Sequence, residues 1–145
     1  AHDQFIVAST NGIGMYTSKT FATGCSLTGA ATMWVCTSDR DVKENFVELN
    51  TSDVLRRVSA MPITRWNEKG APGIEHVGPV AQDFYAAFGL GADDRHIGSG
   101  DLSGVALVAI QGLHQLVQQK DARIAALERA VAELQRALEA LALRH

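Results

Sequence analysis

Several things are scarce in this chain of 145 residues, and each scarcity excludes something. There is no apolar run near the roughly 20 residues that span a bilayer, so no membrane partner is expected. There is no surplus of positive charge. The formal net charge is -3, which gives no electrostatic pull on nucleic acid. Aromatics are only 6% of residues, too few for a large aromatic core. The five histidines are scattered without paired spacing or nearby cysteines, so no metal site is expected. GLGADD (residues 89–94) lacks the preceding strand and the spacing of a phosphate-binding loop, and no cofactor is expected. Two cysteines, Cys25 and Cys36, are too few for a disulfide framework. They read as buried free thiols, with a bridge open only if a hairpin brings them together. The start, AHDQFIVAST, has no basic segment followed by an apolar one. It does not read as a signal peptide, and the chain is expected to be an internal piece of something longer.

What is present divides into three stretches, and together they read as an α+β chain. Residues 1–37 read as short strands forming the β-structured end of an upstream stalk. FIVAST and IGMYTS flank Asn11-Gly12, the strongest short hairpin signal. MWVCT (33–37) is a continuous apolar run, expected to be buried on both faces. About 37 residues cannot bury such strands alone, so partner chains or an upstream domain are required.

Residues 38–101 read as a small α+β core. Thr51-Ser52-Asp53 opens a helix through VLRRVSAM, whose apolar face is Val54, Leu55, Val58 and Met61, and Pro62 ends it. Arg56-Arg57 reads as its solvated face. ITRWN (63–67) is a strand, and Glu68–Gly73 is a turn-rich loop. HVGPVAQDFYAAFG begins extended at His76 and becomes a short helix near Pro79, stopped by Gly89.

Residues 102–145 carry no proline and repeat in heptads. Position a holds Ile110, Val117, Ile124, Val131 and Leu138. Position d holds Leu113, Lys120, Leu127, Leu134 and Leu141. All but Lys120 are apolar, a strong coiled-coil signal over a helix about 60 Å long. β-branched a with Leu at d favours a parallel dimer. Leu116, Ala130, Ala137 and Ala142 on the flanks widen the stripe toward three strands. Arg123 at g and Glu128 at the following e can pair between parallel chains. Lys120 at d costs stability, and either fixes register or binds an anion on the axis.

The seam between the first two stretches is CTSDRDVKENF (36–46). A serine and a lysine can form a hydrolytic pair, the neutral amine taking the hydroxyl proton. An ordinary lysine, with a pKa of about 10.4, is charged at pH 7, so an apolar wall such as Val42 and Phe46 is needed to favour the neutral form. The plain alternative is that Ser38 and Asp39 form a turn or a helix cap. Spacing alone is weak evidence for catalysis.

The surrounding motifs add to it. SDRDVKENF resembles the opening of the intramolecular chaperone, or self-cleaving tailspike/endosialidase-type, domain found at the C-terminus of phage tail spikes and fibres. A relative of that domain occurs in myelin regulatory factor. VLRRVSAMPITRWN, HVGPVAQDF and DLSGVALVAIQGLHQL resemble the family's next three elements in order, so the likeness covers about 38–127. Pro79 and Glu44-Asn45 depart from the usual pattern. The resemblance implies a homotrimer that helps an upstream fibre of the same chain to fold and then releases itself. The cut would fall between Thr37 and Ser38, with Ser38 as nucleophile and Lys43 as general base. His76 and Gln82 are possible supporting residues. Such a protein would belong to a phage virion tail or a bacterial surface. The competing readings are a non-cleaving trimeric tip of a fibre or adhesin, and the coiled-coil module of a regulator whose DNA-binding part lies upstream.

Overall fold

A computed structural model describes residues 7–143. They form two compact units, up to Glu48 and from Leu49 onward.

The first unit is a three-stranded antiparallel sheet in the order β1 (Gly12–Tyr16), β2 (Gly24–Thr28), β3 (Val35–Cys36). Among the described residues the hairpin expected around Asn11-Gly12 is not formed. Phe5 and Ile6 of its first arm, FIVAST, lie outside the described region, and residues 7–10 carry no strand. β1 pairs instead with β2, from Gly12 opposite Thr28 to Tyr16 opposite Gly24. Gly12 has φ 103°, and a Cβ there would overlap the Leu27 carbonyl. The glycine therefore serves a close strand approach, not a two-residue turn.

The real connection is the loop 17–23. Thr17 N–H donates to the Thr23 carbonyl at 2.9 Å, and Ser18 Oγ accepts from the N–H groups of Ala22 and Thr23. Tyr16 and Phe21 stack edge to face. No residue from 7 to 48 is fully buried. Met33, Trp34 and Val35, expected to be covered on both faces, are exposed because the single sheet has no second layer.

The second unit begins with α1 (Thr51–Ala60). Its cap is Asn50, one residue before the expected start, and Asn50 Oδ1 accepts from Asp53 N–H at 3.0 Å. The Asp53 carboxyl is held below its ordinary range by hydrogen bonds from Arg56 and Arg57. Arg57 is not merely solvated. Its Nη1 donates to the Ala87 carbonyl at 2.7 Å, in the last turn of α2, where carbonyls lack intrahelical partners. β4 (Thr64–Asn67) and β5 (Glu75–Gly78) form an antiparallel ribbon, followed by α2 (Ala81–Phe88) with Gly89 as its left-handed stop.

The long helix α3 (Ser99–Ala142) completes the α+β architecture. Among the described residues, no helix is apolar enough over its length to cross a membrane. Val54, Phe84, Val105 and Ala109 form the core, with Leu55, Val58, Met61, Phe88, Ile97 and Val108 packed around it. α1 lies across α3 at Gly112, where a Cβ would overlap the Thr51 carbonyl and come within 3.2 Å of Leu55 Cβ. Thr51 Oγ1 also donates to Gln115 Oε1 there, at 2.6 Å.

Two glycines of α3 therefore respond oppositely to alanine. At Gly104 nothing lies within 4 Å of the new Cβ. Gly104→Ala gains helix propensity, about 1 kcal/mol, and raises the melting midpoint by a few degrees. At Gly112 the same gain is outweighed by overpacking of about 1–3 kcal/mol against backbone, which cannot rotate away. Gly112→Ala lowers the midpoint. Thermal melts of the two variants followed by circular dichroism check the difference in sign.

Candidate functional site

The seam between Cys36 and Phe46 is built by a short turn. Asp39 has extended backbone, and its carboxylate accepts from Asp41 N–H at 3.1 Å, capping the 3-10 turn Arg40–Val42. Lys43 N–H closes the turn on the Arg40 carbonyl at 3.1 Å. This reversal brings residues five apart face to face. Lys43 Nζ donates to Ser38 Oγ at 2.6 Å. The cap belongs to Asp39 alone, and the Ser38 hydroxyl is left to meet the lysine.

The two sides of the Thr37–Ser38 bond are held differently. On the upstream side, Thr37 is tied back to β2. Its N–H donates to the Gly24 carbonyl at 2.9 Å, and its Oγ1 approaches the same oxygen at 3.3 Å. One residue earlier, Cys36 is opposite Cys25 in the ladder, and the two are joined by a disulfide. The free-thiol reading is thus corrected. The hairpin of β2 and β3 supplies the proximity that sequence spacing could not show. On the downstream side the chain enters the 3-10 turn.

Both Ser38 and Lys43 are exposed in the single chain. Val42 and Phe46, the expected apolar wall, are 40% and 62% exposed. Phe46 is nevertheless oriented. Asn45 takes φ 57°, a left-handed conformation that asparagine tolerates, and the Arg40 guanidinium sits 5.1 Å from the Phe46 ring centroid. Sequence reasoning missed this clamp, and it offered a cap at Ser38 and Asp39 only as the plain alternative to catalysis. The signal for the cap was present, an aspartate two residues before the N–H it binds. Nothing in the spacing of Arg40 and Phe46 announced theirs.

His76 and Gln82 belong to the second unit. His76 is on β5 opposite Trp66 of β4, and their rings are 4.8 Å apart and tilted by 33°. Gln82 is in the first turn of α2. Neither has a side-chain hydrogen bond among the described residues.

This arrangement can do one piece of chemistry without help from a cofactor. A hydroxyl adjacent to its own preceding carbonyl, with an amine in contact, is equipped for acyl transfer onto oxygen. Compared with known families, residues 38–90 match the model of a peptidase family described as chaperone of endosialidase. No curated protein and no solved structure matches the chain.

Proposed function

We propose, from the match of residues 38–90 to the family model described as chaperone of endosialidase, that this chain is a C-terminal chaperone that trimerises, registers an upstream fibre or tailspike segment, and then releases itself by autoproteolysis between Thr37 and Ser38. The observation that carries the cleavage is the 2.6 Å contact of Lys43 Nζ with Ser38 Oγ, directly after the anchored Thr37.

The reaction runs in two steps. Lys43, as the neutral amine, takes the hydroxyl proton while Ser38 Oγ bonds to the Thr37 carbonyl carbon. The C–N bond breaks, and the proton passes to the Ser38 nitrogen as it becomes a free amine. The product is an ester of Thr37 on Ser38. Water then hydrolyses that ester, leaving a carboxylate at Thr37 and restoring the hydroxyl of Ser38. Each chain reacts once, so positioning supplies most of what is needed.

Assembly serves both roles. The open a and d positions of α3 gather copies of the chain, raising the effective concentration of upstream strands that cannot bury themselves alone. Pairing between chains is non-local and slow, which is where a C-terminal registering device helps. Packing of neighbouring chains over Val42 and Phe46 would cover the exposed dyad and favour the neutral amine. Cleavage then removes the registration aid and leaves the assembled fibre kinetically trapped.

Intact mass of the purified wild-type chain, followed over time, tests the proposal. The expected result is conversion into fragments 1–37 and 38–145, with sedimentation giving three copies of the latter. A mass that stays whole in a trimer would replace the self-cleaving reading with that of a permanent fibre tip.

A further inference from the structure

α3 carries two separate stripes. Val105, Ala109 and Gly112 turn toward α1 and are buried. The stripe of a and d positions faces elsewhere, and from Ile110 to Leu141 every large apolar residue on it stays exposed, Val117 and Ile124 at 46% and 51%. Between those two stands Lys120, the single charged residue in the stripe. Asp121 follows it at position e. Among the described residues, neither Lys120 nor Asp121 is in an ion pair within the chain, nor are Arg123 and Glu128.

We infer that Lys120 and Asp121 form an interchain polar layer that sets the register of parallel α3 helices, with further copies of this chain as the partners. The inference rests on the assembly proposed above. In knobs-into-holes packing, each d residue enters a hole made by four residues of the facing helix. For a parallel, in-register neighbour, the hole around Lys120 is Val117, Lys120, Asp121 and Ile124 of that neighbour. The lysine stem then lies on Val117 and Ile124, and its ammonium reaches the Asp121 carboxylate of the next chain. Every Lys120 has one Asp121, and the layer is neutral around the ring. The neighbour's carboxylate supplies the counter-charge that an axial anion would otherwise provide.

The alternatives fare worse. Sliding one helix by a heptad in one direction puts His114 at the hole in place of Asp121. Sliding it in the other offers Glu128 to Lys120, but strands Asp121 and moves Arg123 from Glu128 to Gln135. Only the in-register arrangement satisfies both the Lys120–Asp121 and the Arg123–Glu128 pairs. A leucine at 120 would pack well in any of these registers. The stripe would then bind more tightly and choose less strictly.

The test uses the full chain with a spin label at Arg129→Cys, an outward f position that stays on the 38–145 side of the cut. Distances between labels are measured by pulsed electron resonance. Wild type is expected to show one narrow distance. Lys120→Leu is expected to melt higher and to add longer distances, from labels offset along the helix axis by about 10 Å per heptad of slip. Asp121→Lys alone is expected to broaden the distribution, and the charge swap Lys120→Asp with Asp121→Lys to narrow it again. A Lys120→Leu distribution as narrow as wild type would overturn the register role while leaving assembly intact. A wild-type chain that sediments as a monomer would instead overturn the assembly reading on which it depends.

Discussion

Replacing Ser38 with alanine is expected to leave the 145-residue chain whole. The loss should be at least about a thousand-fold in rate, since no other nucleophile adjoins the Thr37 carbonyl along the chain. Lys43→Ala is expected to slow cleavage by about 10²–10⁴, the usual worth of a positioned general base. Lys43→Arg should be no better than alanine. A guanidinium keeps the charge and the reach but does not become neutral in a protein, so it cannot take the hydroxyl proton. The three variants together separate proton transfer from simple hydrogen bonding. If Lys43 only held Ser38 in place by the 2.6 Å contact, arginine would largely restore cleavage. Intact mass after equal incubation reads the result. All three variants should assemble into the same number of copies as the wild type, read by sedimentation, because neither side chain lies on the α3 stripe.

The second large effect concerns Phe84, among the described residues the one large side chain that is almost wholly buried, at 1% exposure. It packs with Val54, Val105 and Ala109, and its ring is 5.2 Å from that of Phe88. Phe84→Ala is expected to cost about 3–5 kcal/mol, transfer and cavity terms together. Among the described residues of this unit only four apolar side chains are buried, so little can rearrange to fill the space. The distal heptads of α3 do not touch this core. Thermal melting by circular dichroism should therefore show an early transition for α1 and α2, followed by a later one for α3. A single transition unchanged from wild type would contradict this division of stability.

Much of the second unit was legible in the sequence, because its signals are local. Val54, Leu55, Val58 and Met61 recur at helical spacing, Gly89 sits where a helix must stop, and the heptads of α3 need no tertiary information. The first unit was read less well. Asn11-Gly12 carries a real turn preference, yet pairing across the loop 17–23 won, through hydrogen bonds between Thr17, Ser18 and Thr23 that leave no periodic trace. The Cys25–Cys36 bridge depends on which strands pair, so it could not be seen before the ladder was known. MWV reads as buried by composition, and among the described residues of its unit nothing covers it. At the seam, Ser38 and Lys43 were visible as residue types, but their meeting depends on the Asp39 cap and the turn it closes. The tie from Arg57 to Ala87 joins residues 30 apart and lies beyond any pattern on α1 alone.

The bridge between Cys25 and Cys36 bears on what a cut would leave behind. Both half-cystines lie upstream of Ser38, so scission at that serine separates two polypeptides with no covalent link and needs no reductant. A freshly made chain end on a strand of only two residues would ordinarily fray. Here the last residue but one is cross-linked to a partner 11 positions earlier. Closing a loop of that length removes about 3 kcal/mol of the entropy that fraying would regain. The terminus created by the cut would be confined almost as tightly as an interior loop. A fibre finished in this way would be severed from its assembler without acquiring a loose end.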